Sequence, residues 1–217
     1  MQRARSAEAK ARRTEDLLDA ARTLATELGG VRHLTLVAVF ERAGLDSSAM
    51  RRYFASKEEL LLELAERGWR QWSDLVAERV ADASGLTARD IARVIAGTLV
   101  ALPLFCDLLT HVPLNLEGEV SLDRAYRFKK NAFAAYDVLV RALADAGELT
   151  TPQLHDLIAA ATGIAANHWQ LSHPTATLAE LYRKYPDWGH VAMEFEPRLT
   201  RLLEATAVGL TESPDPA

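Results

Sequence analysis

Leu34–Leu60 read LTLVAVFERAGLDSSAMRRYFASKEEL. From Leu34 to Phe40 the stretch is apolar apart from Thr35 and holds two β-branched valines, as a buried strand would. Periodicity alone does not separate a short apolar strand from a short buried helix. The flanking residues do. Thr35 is a good N-cap, Glu41-Arg42-Ala43 extend a helix, and Gly44 stands where a left-handed residue would end it. This predicts a helix over Leu36–Ala43 and a second over Ser47–Tyr53, capped by Asp46 or Ser47. Two helices joined by a short turn with glycine form a helix-turn-helix, whose second helix enters the DNA major groove.

On that second helix Leu45, Met50 and Phe54 are predicted to face inward, and Ser47, Ser48, Arg51 and Arg52 outward. The arginine fork pairs with guanine edges or with phosphate. Tyr53 and Lys57 fall at the helix end, where the DNA backbone would pass. Two adjacent arginines taken alone read as a solvated basic face. The cap, the glycine turn, Arg-Arg-Tyr-Phe and the box that follows reverse that preference.

The box is Ser56-Lys57-Glu58-Glu59, in which Ser56 caps a helix and Glu59 reaches back. A long helix is expected from there to about Ala81. Upstream, Leu17, Leu18, Ala21, Leu24, Ala25 and Leu28 keep one helical face, with Thr14 as cap and Gly29 as terminator. Downstream, helices are expected from Thr87 to Pro103, irregularly over Phe105–Leu116, and from Ser121 to Ala146. Further helices should run from Thr151-Pro152 to Leu171, over Thr177–Tyr185, and after Gly189 to Leu210. The fold class is all-α.

The 217 residues are ample for a hydrophobic core. One cysteine, Cys106, excludes an intrachain disulfide and fits a reducing compartment. The basic start MQRARSAEAKARR has no apolar stretch after it, so no signal peptide is read there. Apolar runs are too short for a membrane span. The expected location is cytoplasmic, on the nucleoid when DNA is bound. The net charge of −5 argues against nucleic acid, but its distribution does not: eleven of the 25 Lys/Arg lie in residues 1–57, and the rest of the chain is acidic.

The stretch resembles the DNA-binding domain of the TetR family of bacterial transcriptional regulators. The match rests on Thr35, Val39, Ala43, Gly44, Leu45, Tyr53, Phe54, Ser56, Lys57, Glu58 and Leu60, and covers about residues 13–62. The resemblance implies a three-helix helix-turn-helix domain over 1–62 and a helical ligand-binding and dimerisation domain over 63–217. It implies that Thr35 touches a phosphate, that Ser47, Ser48 and Ala49 lie against base edges, and that Lys57 pairs with a phosphate. Three departures stand out. Arg51 replaces the family's usual tyrosine. Leu36, Val37 and Ala38 are apolar where DNA contacts are common. Ala25 and Phe40 exchange the family's phenylalanine and alanine, which reads either as a compensating change of volume or as two positions that do not touch.

The implied partners are a double-stranded palindromic operator, a second copy of the chain and a small-molecule effector. The small-residue run Ala159–Ala166 and the apolar positions Phe195, Leu199, Leu202, Leu203 and Val208 mark two helices for a four-helix dimer interface, the alternative being ordinary intrachain core. Pocket candidates are Phe105, Leu108, Tyr126, Phe133, Tyr136, His168 and Trp169, whose character points to an apolar or aromatic ligand. His155, His168 and His173 lack metal-ligand spacing, Cys106 lacks a basic neighbour, and no catalytic or dinucleotide motif is present. No metal, cofactor or catalytic residue is expected. The competing reading is a helical small-molecule-binding protein or enzyme whose N-terminal helices are purely structural.

Overall fold

A computed structural model describes residues 2–191 and 194–212, with the side chains of 2–7, 47–49, 190 and 191 outside the description. Among the described residues there are nine α-helices and no strand. α1 is Gln2–Leu28, α2 is Leu36–Arg42 and α3 is Lys57–Val80. α4 is Ala88–Val100, α5 is Pro103–His111 and α6 is Leu122–Ala146. α7 is Thr151–Ser172, α8 is Ala176–Lys184 and α9 is Phe195–Glu212. Short 3₁₀ turns cover Val31–His33, Ser47–Arg52 and Pro186–Val191, and a π-helical turn covers Val112–Leu116.

Most helix ends follow local chemistry. Thr35, Ser56, Thr87 and Ser121 each cap a helix by accepting the backbone N–H three residues on. Two expected starts are corrected. Thr14 is not a cap: α1 runs back to Gln2, and the Thr14 hydroxyl donates to the Lys10 carbonyl at 3.0 Å. Residues 2–13 are mostly Ala, Arg, Lys and Glu, which favour the helix and carry it through Thr14. The cap of α7 is Thr150 rather than Thr151, with the Gln153 side chain returning to the Thr150 N–H.

The helices enclose two apolar cores. One gathers α1, α2 and the start of α3 around Leu17, Leu18, Val39, Phe40 and Leu62, and takes in Leu108, Val112, Leu116, Phe128 and Ala132 from further along the chain. The other lies among α3, α4, α6, α7 and α9, with Trp72, Ile91, Leu139, Leu157 and Leu203 fully buried. α3 belongs to both, running unbroken through the 62/63 boundary expected from the sequence. Buried Arg124, on α6, bonds Glu66 at 3.1 Å and Glu63 at 3.2 Å on α3, and Asn131 donates to Glu66 at 2.7 Å.

Candidate nucleic-acid interface and regulatory cavity

The helix-turn-helix is built by two local devices. The Thr35 Oγ accepts the Ala38 N–H at 3.2 Å and starts α2. At the other end Gly44 has φ of 66°, a left-handed conformation that favours glycine. The Leu45 N–H reaches the Phe40 carbonyl at 2.9 Å and the Gly44 N–H reaches Glu41 at 3.0 Å, the paired bonds of a Schellman end. Outside, Arg42 clamps Glu27 of α1 with two bonds of 2.9 and 2.6 Å, which holds the Glu27 carboxyl below its usual range.

The expected recognition helix is a 3₁₀ segment, Ser47–Arg52, wound more tightly than an α-helix would be. Leu45, Met50 and Tyr53 pack partly against the core and Phe54 is buried in it. The side chains of Ser47, Ser48 and Ala49, expected at base edges, lie outside the described residues. Arg51 and Arg52 are exposed and form no ion pair among the described residues. Tyr53 turns its ring to Phe40, with centroids 6.1 Å apart, so only part of it remains for a DNA backbone. Lys57 is half-buried, and its ammonium donates to the Arg32 carbonyl at 3.0 Å. Two of its three donors remain for a phosphate.

A cavity of about 790 Å³ opens between α3, α5, α6 and α7. Trp69, Phe128, Phe133 and Tyr136 supply its aromatic surface, and Thr110, Thr162, Asn167 and Gln170 its polar one. A Glu117–Lys129 ion pair of 2.7 Å belongs to the same wall. Of the sequence-derived pocket residues, Phe133 and Tyr136 line it. Phe105 does not, because its ring closes over Gly68, where a methyl group would meet Phe105 Cδ2 at 2.3 Å, and packs edge-on to Trp69. Leu108 is 1% exposed in the N-terminal core, and Tyr126 points to solvent at 67% exposure. His168 bonds the Ile164 carbonyl of its own helix at 3.1 Å. Trp169 stacks on His173 and borders a separate cleft of about 240 Å³ with Ala25, Gly30 and Asp107.

Sequence reasoning missed Trp69, Thr162 and Gln170, which sit on helices with no local mark of a pocket. It also missed Asp107, 5% exposed, whose carboxylate accepts the Val31 N–H at 2.7 Å and the Gln170 amide at 2.8 Å. The small-residue run of α7 is divided. Ala161 and Ala165 face the core, and Thr162 and Ala166 line the cavity, while Ala159 and Gly163 at its edge are exposed. Cys106 is buried, its thiol pushed up to about 12 by burial and by neighbouring Asp107. Among the described residues no cluster of metal-binding side chains occurs, and no single helix is long and apolar enough to cross a membrane.

Two family models match the chain. Residues 17–64 match the family model described as bacterial regulatory proteins, tetR family. Residues 66–214 match the one described as tetracyclin repressor-like, C-terminal domain. A TetR transcriptional regulator from Rhodococcus sp. RHA1 superposes with a TM-score of 0.54 at 16% identity, covering 93% of this chain and 96% of that one. The MbdR regulator from Azoarcus sp. CIB gives 0.50 at 20% identity, covering 90% and 96%. At these identities the likeness is one of fold. No curated protein matches the chain.

Proposed function

The chain belongs to the tetR family of bacterial regulatory proteins and is a transcriptional regulator, not an enzyme; on that premise we propose that it is a ligand-responsive repressor. It binds a palindromic operator as a homodimer in the cytoplasm, and an apolar or aromatic small molecule releases it. The observation that carries this reading is the cavity of about 790 Å³, within the usual size of small-molecule sites and walled in part by α3, which also packs against the helix-turn-helix. Ligand must favour the DNA-free arrangement for release to occur. A shift from 1:99 to 99:1 requires about 5.5 kcal/mol of preference.

Thr35 and Lys57 contact phosphate, Ser47, Ser48 and Ala49 lie at base edges, and Arg51 and Arg52 supply the charge-assisted contacts. Fluorescence anisotropy on fragments recovered by genomic selection tests this. Affinity is expected to fall steeply with salt. Arg51→Ala and Arg52→Ala should each reduce the slope by about 0.9 where the side chain neutralises a phosphate, or relax base discrimination where it reads an edge. Absence of any selectively bound fragment would leave the structural-domain reading in its place.

A further inference from the structure

The cavity and the helix-turn-helix meet at one buried carboxylate. Asp107, on α5, accepts one N–H on each oxygen: Val31 on Oδ2 at 2.7 Å and Gln170 Nε2 on Oδ1 at 2.8 Å. Val31 begins the turn that joins α1 to α2, and it is fully buried. Gln170, on α7, lines the large cavity, and its Oε1 accepts Arg32 Nη1 at 3.5 Å. Both ends of one cavity-wall amide are therefore tied to the first connection of the DNA-binding domain. Gly30 permits the approach: its φ is +137°, and an added Cβ would stand 3.3 Å from Asp107 Oδ2.

A carboxylate at 5% exposure depends on its donors, because a buried charge that loses a hydrogen bond must find another. If Gln170 turns toward a bound molecule, Oδ1 loses its donor. The cleft of about 240 Å³ beside Asp107, Gly30 and Trp169 gives the carboxylate room to rotate away from Val31.

We propose that Gln170 and Asp107 are positioning residues that transmit cavity occupancy to the helix-turn-helix, by holding or releasing the Val31 N–H. The ligand has an apolar, aromatic body with one hydrogen-bonding group at the Gln170 end. Only this last step rests on the ligand-responsive reading; the hold of Gln170 on Val31 through Asp107 does not.

The test is hydrogen exchange at the Val31 amide in the full-length protein, with Leu139 in the second core as the control for global opening. Gln170→Glu keeps the side chain's shape but faces Asp107 with an acceptor. Val31 exchange is expected to rise about tenfold or more while Leu139 stays protected. The double variant Asp107→Asn, Gln170→Glu restores a matched pair, since the new amide's oxygen takes the Val31 N–H and its NH₂ donates to the new carboxylate across from it. Protection should return to within about threefold of the parent, a recovery that loss of packing alone would not produce. Unchanged exchange in Gln170→Glu, or a double variant no better than the single, overturns the relay. A second arm adds the apolar aromatic anion 1-anilinonaphthalene-8-sulfonate, with Ala166→Trp to block the cavity. Probe binding that Ala166→Trp abolishes should speed Val31 exchange in the parent; cavity binding without that effect overturns the transmission. Failure of the probe to use the cavity counts against the ligand-responsive reading, and the relay is then decided by the first arm.

Discussion

Ala25 and Phe40 answer differently from their exchange in the sequence. Both are buried in the N-terminal core. Phe40 meets Tyr53, whereas Ala25 borders the cleft of about 240 Å³, whose lining does not include Phe40. Part of the volume beside Ala25 is therefore open, and we propose that Phe40 does not fill the remainder. Phe40→Ala should cost ~3–5 kcal/mol by chemical denaturation. Ala25→Phe should recover little of it, with coupling within about 0.5 kcal/mol in a double-mutant cycle. Recovery of most of the loss would restore the compensating-pair reading. At His111 burial lowers the imidazole pKa, while Asp107, 3.9 Å away, pulls the other way; the His111 Nε2 has no hydrogen-bond partner among the described residues. The unfolded chain therefore takes up a proton near pH 6.5, before the folded one does. Stability is fully present above that pH and falls as pH drops toward the depressed folded value. The melting temperature should decline from about pH 7.5 to about pH 5.5, and His111→Gln should flatten part of that decline.

At the scale of elements, the helix signals that were local could be read. Thr35, Gly44, Ser56, Thr87 and Ser121 act through bonds to residues three or four away, and each stands where its type predicted. Thr14 misled because a cap-type residue marks a start only when the preceding chain leaves the helix, and residues 2–13 do not. The cavity was legible only at Phe133 and Tyr136, because which face of α5, α6 or α7 borders empty space depends on how the helices cross. Gln170 looks like any surface glutamine until Asp107 is beside it. The start of α3 carries a direct expectation. The Ser56 Oγ accepts the Glu59 N–H at 3.2 Å, and the Glu59 carboxylate takes the Ala55 N–H. Ser56→Ala should cost about 1 kcal/mol and loosen the first turn that carries Lys57, read as faster amide exchange at Glu58 and Glu59.

Over the whole molecule, the exposed basic side chains Arg51 and Arg52 lie at the N-terminal end of a chain that is otherwise acidic. For a symmetric operator a second copy must bring its own pair, which the proposed α7–α9 interface would supply. α9 buries Leu199, Leu203 and Ala207 within its own chain and presents Arg201 and Ala205 outward. The exposed Ala159 and Gly163 of α7 would stand beside α9 in that proposed interface. Ala205→Glu, a change at an exposed position, should shift sedimentation toward monomer at micromolar concentration and weaken operator binding with it. An unaltered dimer mass would remove α9 from the interface.

The sharing of Leu108, Val112, Leu116, Phe128 and Ala132 with the N-terminal core has a consequence for modularity. The DNA-reading head is not a detachable cartridge. Cut after residue 62, it would lose the part of its core that these five residues supply, and the remainder would expose them to water. A chimera that grafts this head onto another regulator must import the matching residues, or the recipient must already possess their shape. Heating the intact chain should accordingly give one cooperative transition rather than two.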